Sequence, residues 1–240
     1  MRMKTLLAAA TVAAFAMASG AHAAVNLVTN GDFAAGNTGF TSGYTYAPAT
    51  NNAEGQYTIT DNAFPWNPNF ASVTDHTGSG GMMFVGNGSP TAGQLVWNSG
   101  PIAITAGTDY FFEAFVANVC CNAGYSGGNS PPNLAFSISL DGGPATILNT
   151  LSIPLSPVGA WNGLSTSFNS GGATTATLSL INANTIAAGN DFAVDDVFLG
   201  TTSTVLGIPE PTSWALMILG FGGIGAVIRR RRNSHPAFAA

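Results

Sequence analysis

The chain holds acidic residues, a histidine and a serine in a glycine-rich frame, but their spacing does not make a catalytic set. Gly124-Tyr125-Ser126-Gly127-Gly128 formally matches the G-x-S-x-G nucleophile elbow. That elbow needs a helix directly after the serine, and its triad runs serine, acid, histidine. Here Asn129-Ser130-Pro131-Pro132 follows instead, and His76, the only histidine of residues 24–208, precedes the serine. A glycosidase needs two carboxyl groups flanking one bond, and nothing in the sequence singles out such a pair. His76 beside Asp75 in a glycine-rich turn reads as structural. No catalytic residue is assigned, so a non-enzymatic protein is expected.

Charge narrows the class further. All six basic residues lie at the ends, at Arg2, Lys4 and Arg229 to Arg232. The chain has eleven acidic residues, and all but Glu210 fall within residues 24–208. Phosphate backbones are bound through lysine and arginine, so nucleic acid is excluded as a partner, as are anionic membrane surfaces. A buried carboxyl in this segment has no lysine or arginine to pair with. It must be protonated, hydrogen-bonded or bound to a metal cation.

The two ends read as addresses. Arg2 and Lys4, the apolar run Leu6–Met17 and the small-x-small site Ala21-His22-Ala23 make a secretory signal peptide over residues 1–23. Cleavage is expected before Ala24. At the other end Pro209-Glu210-Pro211 is followed by Trp214, an uncharged stretch over 213–228, and Arg229-Arg230-Arg231-Arg232. That stretch would span roughly 24 Å as a helix, short of a hydrocarbon core of about 30 Å. The arginines would keep 233–240 cytoplasmic. Tripeptide, apolar stretch and arginine stop resemble the PEP-CTERM sorting signal of Gram-negative bacteria. The resemblance implies recognition and cleavage by an exosortase-type membrane protease. It also implies a transient inner-membrane anchor, then the cell surface or extracellular matrix. Export places Cys120-Cys121, the only cysteines, in an oxidising compartment. Adjacent Cα atoms lie nearer than disulfides usually span. A vicinal bridge is nonetheless the first expectation, ahead of an intermolecular bond and, last, a metal site.

Between the addresses the apolar pattern has period two. Leu134, Phe136, Ile138 and Leu140 alternate with small polar residues, as do Ala176, Leu178 and Leu180. Residues 110–119 are apolar on both faces, as in a central strand. Further strands are predicted at 56–60, 82–86, 94–97, 102–105, 146–151, 164–168 and 192–199. Turn signals such as Gly86-Asn87-Gly88 and Asn98-Ser99-Gly100-Pro101 separate them. One all-β domain over 24–200, then a polar linker over 201–208, is expected.

Asn26-Leu27-Val28-Thr29-Asn30-Gly31-Asp32-Phe33 resembles the opening strand of galactose-binding-like jelly rolls, a group that includes many carbohydrate-binding modules. Gly189-Asn190-Asp191-Phe192-Ala193-Val194-Asp195-Asp196-Val197 resembles their closing strand. The resemblance implies a jelly-roll β-sandwich with a structural calcium ion held by Asp32, Asp195 and Asp196. Ala34 stands where the family carries a glutamate, and turn-capping by these aspartates is the alternative. Sugar binding in such modules uses exposed aromatic faces. Tyr44, Tyr46, Trp66 and Tyr125, in Gly/Asn/Pro-rich segments, are the candidates, with gap-filling at the sandwich edge as the other role open to them. The reading is a secreted, non-enzymatic surface or matrix protein associated with exopolysaccharide, including by direct glycan binding. The alternatives are a structural coat protein without a ligand, or a glycan-active enzyme.

Overall fold

The computed structural model describes residues 24–50, 53–78 and 80–205, with the single residue Phe221 beyond them. The signal peptide with Ala21 and Ala23, the sorting tripeptide, Trp214, the arginines and the 233–240 tail lie outside the described residues. So does the 213–228 stretch, Phe221 apart. No helix among the described residues is long and apolar enough to cross a membrane. The chain divides into two units, one of which, Ala24–Gly207, holds all the architecture that follows.

Among the described residues ten strands form two facing sheets. In chain order they are β1 (Thr45–Tyr46), β2 (Gln56–Thr60), β3 (Met83–Asn87), β4 (Leu95–Ala103), β5 (Asp109–Asn118), β6 (Asn133–Leu140), β7 (Thr146–Ser152), β8 (Trp161–Asn169), β9 (Thr175–Asn182) and β10 (Phe192–Gly200). One sheet runs β1-β2-β3-β10-β5-β8 and the other β4-β9-β6-β7. The expected all-β jelly-roll sandwich is therefore the observed architecture. A four-residue helix, α1 (Ala63–Trp66), starts where the Asn62 side chain accepts the Phe64 N–H and is too short to leave a helical period in the sequence.

The period-two residues point where the pattern requires. Leu134, Phe136, Leu178 and Leu180 meet Phe112, Val116, Phe192 and Val194 in one core between the sheets. A second, smaller core lies on the outer face of the larger sheet. There Trp66, Phe70 and Val73 cover Met83, Val85, Ala117 and Ala193. β5 is covered on both faces, which explains its unbroken apolar run.

Two departures from the expected elements have local causes. The two strands predicted at 94–97 and 102–105 are one strand, β4, and the turn signal between them forms a bulge. The Ser99 hydroxyl accepts the Leu178 N–H, and Gly100, at φ +65°, donates to the Asn98 side chain at 2.8 Å. The second departure concerns the expected linker. Residues 203–205 are tied to the sandwich through Glu113, a fully buried residue of β5. Its carboxylate accepts from the hydroxyls of Ser165, Ser203 and Thr204 and from the N–H groups of Thr204 and Val205.

Candidate functional site

At one end of the larger sheet, loops enclose a polar cleft of about 170 Å³. Its lining includes Glu54, Asn67, Asn69, Asn87, Asp191 and Tyr125, together with Phe70 and the Cys120–Cys121 disulfide. The strands deliver these residues directly. Asn87 ends β3, Asp191 immediately precedes β10, and Cys120 follows the end of β5. Close approaches lock the loops together. The Gly88 N–H donates to Asp191 at 2.9 Å, and a Cβ on Gly88 would collide with the Asn190 side chain at 1.6 Å. Gly189, at φ +89°, lies against Asn129 with no room for a side chain. Asn122 donates its N–H to the Asn69 carbonyl at 2.9 Å, as Gly55 does to the Asn87 carbonyl.

The polar groups inside are incompletely used. Asn87 is 4 % exposed, faces the same side of its strand as Met83 and Val85, and its amide makes no hydrogen bond among the described residues. Its amide atoms are thus left to the cleft, where they can meet solvent or a ligand. Asn67, 3 % exposed, spends its side-chain oxygen on the Asn69 N–H and leaves its NH₂ free. Burial pushes the Asp191 carboxyl up to about 7; the Gly88 N–H opposes this and Glu54 adds to it. Glu54 stays largely exposed as a residue, but desolvation raises its carboxyl to about 7 as well. With no lysine or arginine in residues 24–205, such a cleft can exchange donors and acceptors with hydroxyls, and it repels anions once Glu54 and Asp191 ionise above pH 7.

The aromatic candidates separate on this geometry. Tyr125, 36 % exposed, stands in the cleft wall. Tyr46, 41 % exposed, lies on the edge strand β1 with its ring 5.3 Å from Tyr57. Tyr44 and Trp66 are each 4 % exposed, so neither can serve as a stacking platform. The Tyr44 oxygen accepts the Ser89 N–H while its ring meets Phe192 edge-on. Trp66 donates to the Ala47 carbonyl at 2.7 Å and fills the outer core. In both, the polar tip is satisfied inside and the ring is more stable buried than wet.

The calcium candidates lie elsewhere. Asp32, Asp195 and Asp196 line a separate cavity with Asp75. A bulge in β10 between Asp195 and Phe198 puts Asp196 at φ +47° and turns it to meet His76, whose Nδ1 is 2.7 Å from its carboxylate. The two Asp195 oxygens accept the N–H groups of His76 and Asp196, and burial raises this carboxyl to about 7. Asp32 accepts from the Ala34 N–H at 3.3 Å. These carboxyls are spent on N–H donors, and among the described residues no three acidic, histidine or cysteine side chains gather about a metal position. His76 thus pairs with Asp196 rather than with its neighbour Asp75, and stacks on Phe115 at 3.5 Å.

Sequence likeness decides the address. Residues 207–232 match the family described as the PEP-CTERM protein-sorting motif. The chain carries a PEP-CTERM signal. Pro209, Glu210, Pro211, Trp214 and the four arginines all fall within the match. The PEP-CTERM signal implies export and sorting to the cell surface. No curated protein matches the chain. Among solved structures, a Stig cyclase, Fisc, from Fischerella sp. TAU aligns with a TM-score of 0.51 at 12% identity, covering 74% of this chain and 97% of its own. The CBM22-1-CBM22-2 tandem of Paenibacillus barcinonensis Xyn10C aligns at 0.47 and 15% identity, over 78% of this chain and 49% of that one. The chain thus spans about half the length of that tandem. A family 16 carbohydrate-binding module aligns at 0.40 and 16% identity, over 72% and 99%. At these identities the likeness is one of fold.

The cleft residues Glu54, Asn67, Asn87 and Asp191 were not legible as a set. Gly86-Asn87-Gly88 reads as a turn and Gly189-Asn190-Asp191 as the approach to the closing strand, and only the fold brings the two segments together.

Proposed function

We propose that this PEP-CTERM protein is a non-enzymatic glycan-binding protein of the cell surface or matrix. In this reading an exosortase-type protease processes it, and it holds exopolysaccharide at the loop-end cleft. The observation that carries the reading is the Asn87 amide, which makes no hydrogen bond among the described residues and opens into a cleft lined by other amides and by carboxyls. Sugar hydroxyls both donate and accept, so they satisfy an amide on both of its atoms. An amide left open in a cleft exchanges water for the hydroxyls of a ligand at little cost. The test is retention of the secreted protein on the producer's own exopolysaccharide. Wild type should be retained, and Asn87→Ala, checked for folding by circular dichroism, should lose at least tenfold in affinity. Equal retention of both would remove the cleft from the binding reading. No retention of either would favour a coat protein without a ligand.

A further inference from the structure

We infer that the loop-end cleft takes a single uncharged sugar residue, presented at a chain end or branch, rather than a run of polysaccharide. The inference rests on the glycan-binding reading above and narrows it to one class of ligand.

Size is the first argument. At about 170 Å³ the cleft lies below the roughly 300–1,000 Å³ usual for larger ligands, and it has room for one ring. Enclosure is the second. Gly55 is bonded to Asn87, Gly88 to Asp191, and Asn122 to Asn69, while Gly189 lies against Asn129. The contacts tie neighbouring loops around the cleft and hold its walls in place. A chain lying across a sheet needs a row of exposed rings. Here two of the four candidate aromatics are buried, and Tyr46 and Tyr125 stand in different places.

The lining selects the chemistry. The Asn87 amide is free on both atoms and the Asn67 amide on its nitrogen. One Asp191 oxygen is left after Gly88 takes the other. Hydroxyl groups of a sugar match this mixture of donors and acceptors. Phe70 and the disulfide supply a small apolar wall for the C–H face of the ring. Above pH 7, where Glu54 and Asp191 ionise, they repel uronate, sulfate and phosphate groups, and residues 24–205 hold no lysine or arginine to attract such groups at any pH. A bare cation could use the two carboxyls and the Asn87 amide oxygen, but among the described residues no three acidic, histidine or cysteine side chains gather about one position.

The experiment uses the secreted protein and competition for exopolysaccharide retention. The probes are neutral monosaccharides (glucose, galactose, mannose, rhamnose, xylose, N-acetylglucosamine), glucuronic and galacturonic acids, and neutral oligosaccharides of increasing length. At least one neutral monosaccharide should displace the polysaccharide, the uronic acids should not, and affinity should stay within about twofold as the oligosaccharide lengthens. Asp191→Asn should weaken competition at least fivefold. Tyr125→Ala, a substitution at a partly exposed site, should weaken it as well, and it keeps the test open if Asp191→Asn fails to fold. If only longer chains compete, with affinity rising per residue, recognition of a single residue is overturned while glycan binding stands. If nothing sugar-like is retained at any length, the glycan reading itself fails and takes this inference with it. Saturation of the cleft by calcium chloride alone, abolished by Asp191→Asn, would make it a cation site and overturn the inference.

Discussion

Glu113 and Asp191 are both carboxylic acids withdrawn from water in a domain without lysine or arginine, and they meet opposite conditions. Glu113 gathers three hydroxyls and two backbone N–H groups. Burial alone would raise its carboxyl, but these donors hold it below the usual glutamate range. Asp191 has one donor, Gly88, and burial carries it up to about 7. Where cations are lacking, the supply of N–H and O–H donors decides which buried acid is ionised. The well-supplied site closes the fold, and the under-supplied one lies in the cleft proposed to bind glycan.

The largest effect should come from removing the closed site. Glu113→Ala strands its hydroxyl and N–H donors and should cost about 3 kcal/mol, read as a lower urea midpoint at pH 7. A variant as stable as wild type would end the comparison. Next comes acidity. The raised carboxyls of Asp191 and Asp195 contribute stability that is fully present below their unfolded values, near 4. It is lost as pH rises through about 7. Tm should therefore fall between pH 4 and pH 7, and Asp191→Asn should flatten part of that fall. At pH 8 this variant should be on the order of 2 kcal/mol more stable than wild type, while binding glycan less well. Glu113 acts in the reverse sense: its stabilisation is present above the ordinary glutamate range and fades as pH falls through its lowered folded value. A smaller, sharper test is chelation, which should leave Tm unchanged because Asp32, Asp195 and Asp196 bond to N–H groups. A drop in Tm with chelator would show these acids serving a metal instead. The smallest effect is expected at Tyr46→Ala, within about 0.5 kcal/mol of wild-type stability and with glycan retention unaltered.

The strands of the sandwich were legible because their signal is local: Leu134, Phe136 and Ile138 repeat every second residue, and the sheet buries that face. The Asn98–Pro101 segment was misread as a turn because glycine and proline mark bulges and turns alike. Burial of aromatics was less legible. Tyr44 and Trp66 sit among glycine, asparagine and proline, and what hides them comes from Phe192 and from Ala47. The donor count of a carboxyl is wholly non-local. No spacing in the sequence announces that Ser203 and Thr204 return to Glu113, or that Gly88 reaches Asp191.

The absence of lysine and arginine from the sandwich has a consequence for digestion. Trypsin-like proteases cut after lysine or arginine because their specificity pocket holds an acid. No bond between Thr5 and Arg229 presents such a residue. The sandwich can open, lose a strand or unfold altogether beside such an enzyme and still offer it nothing to cut.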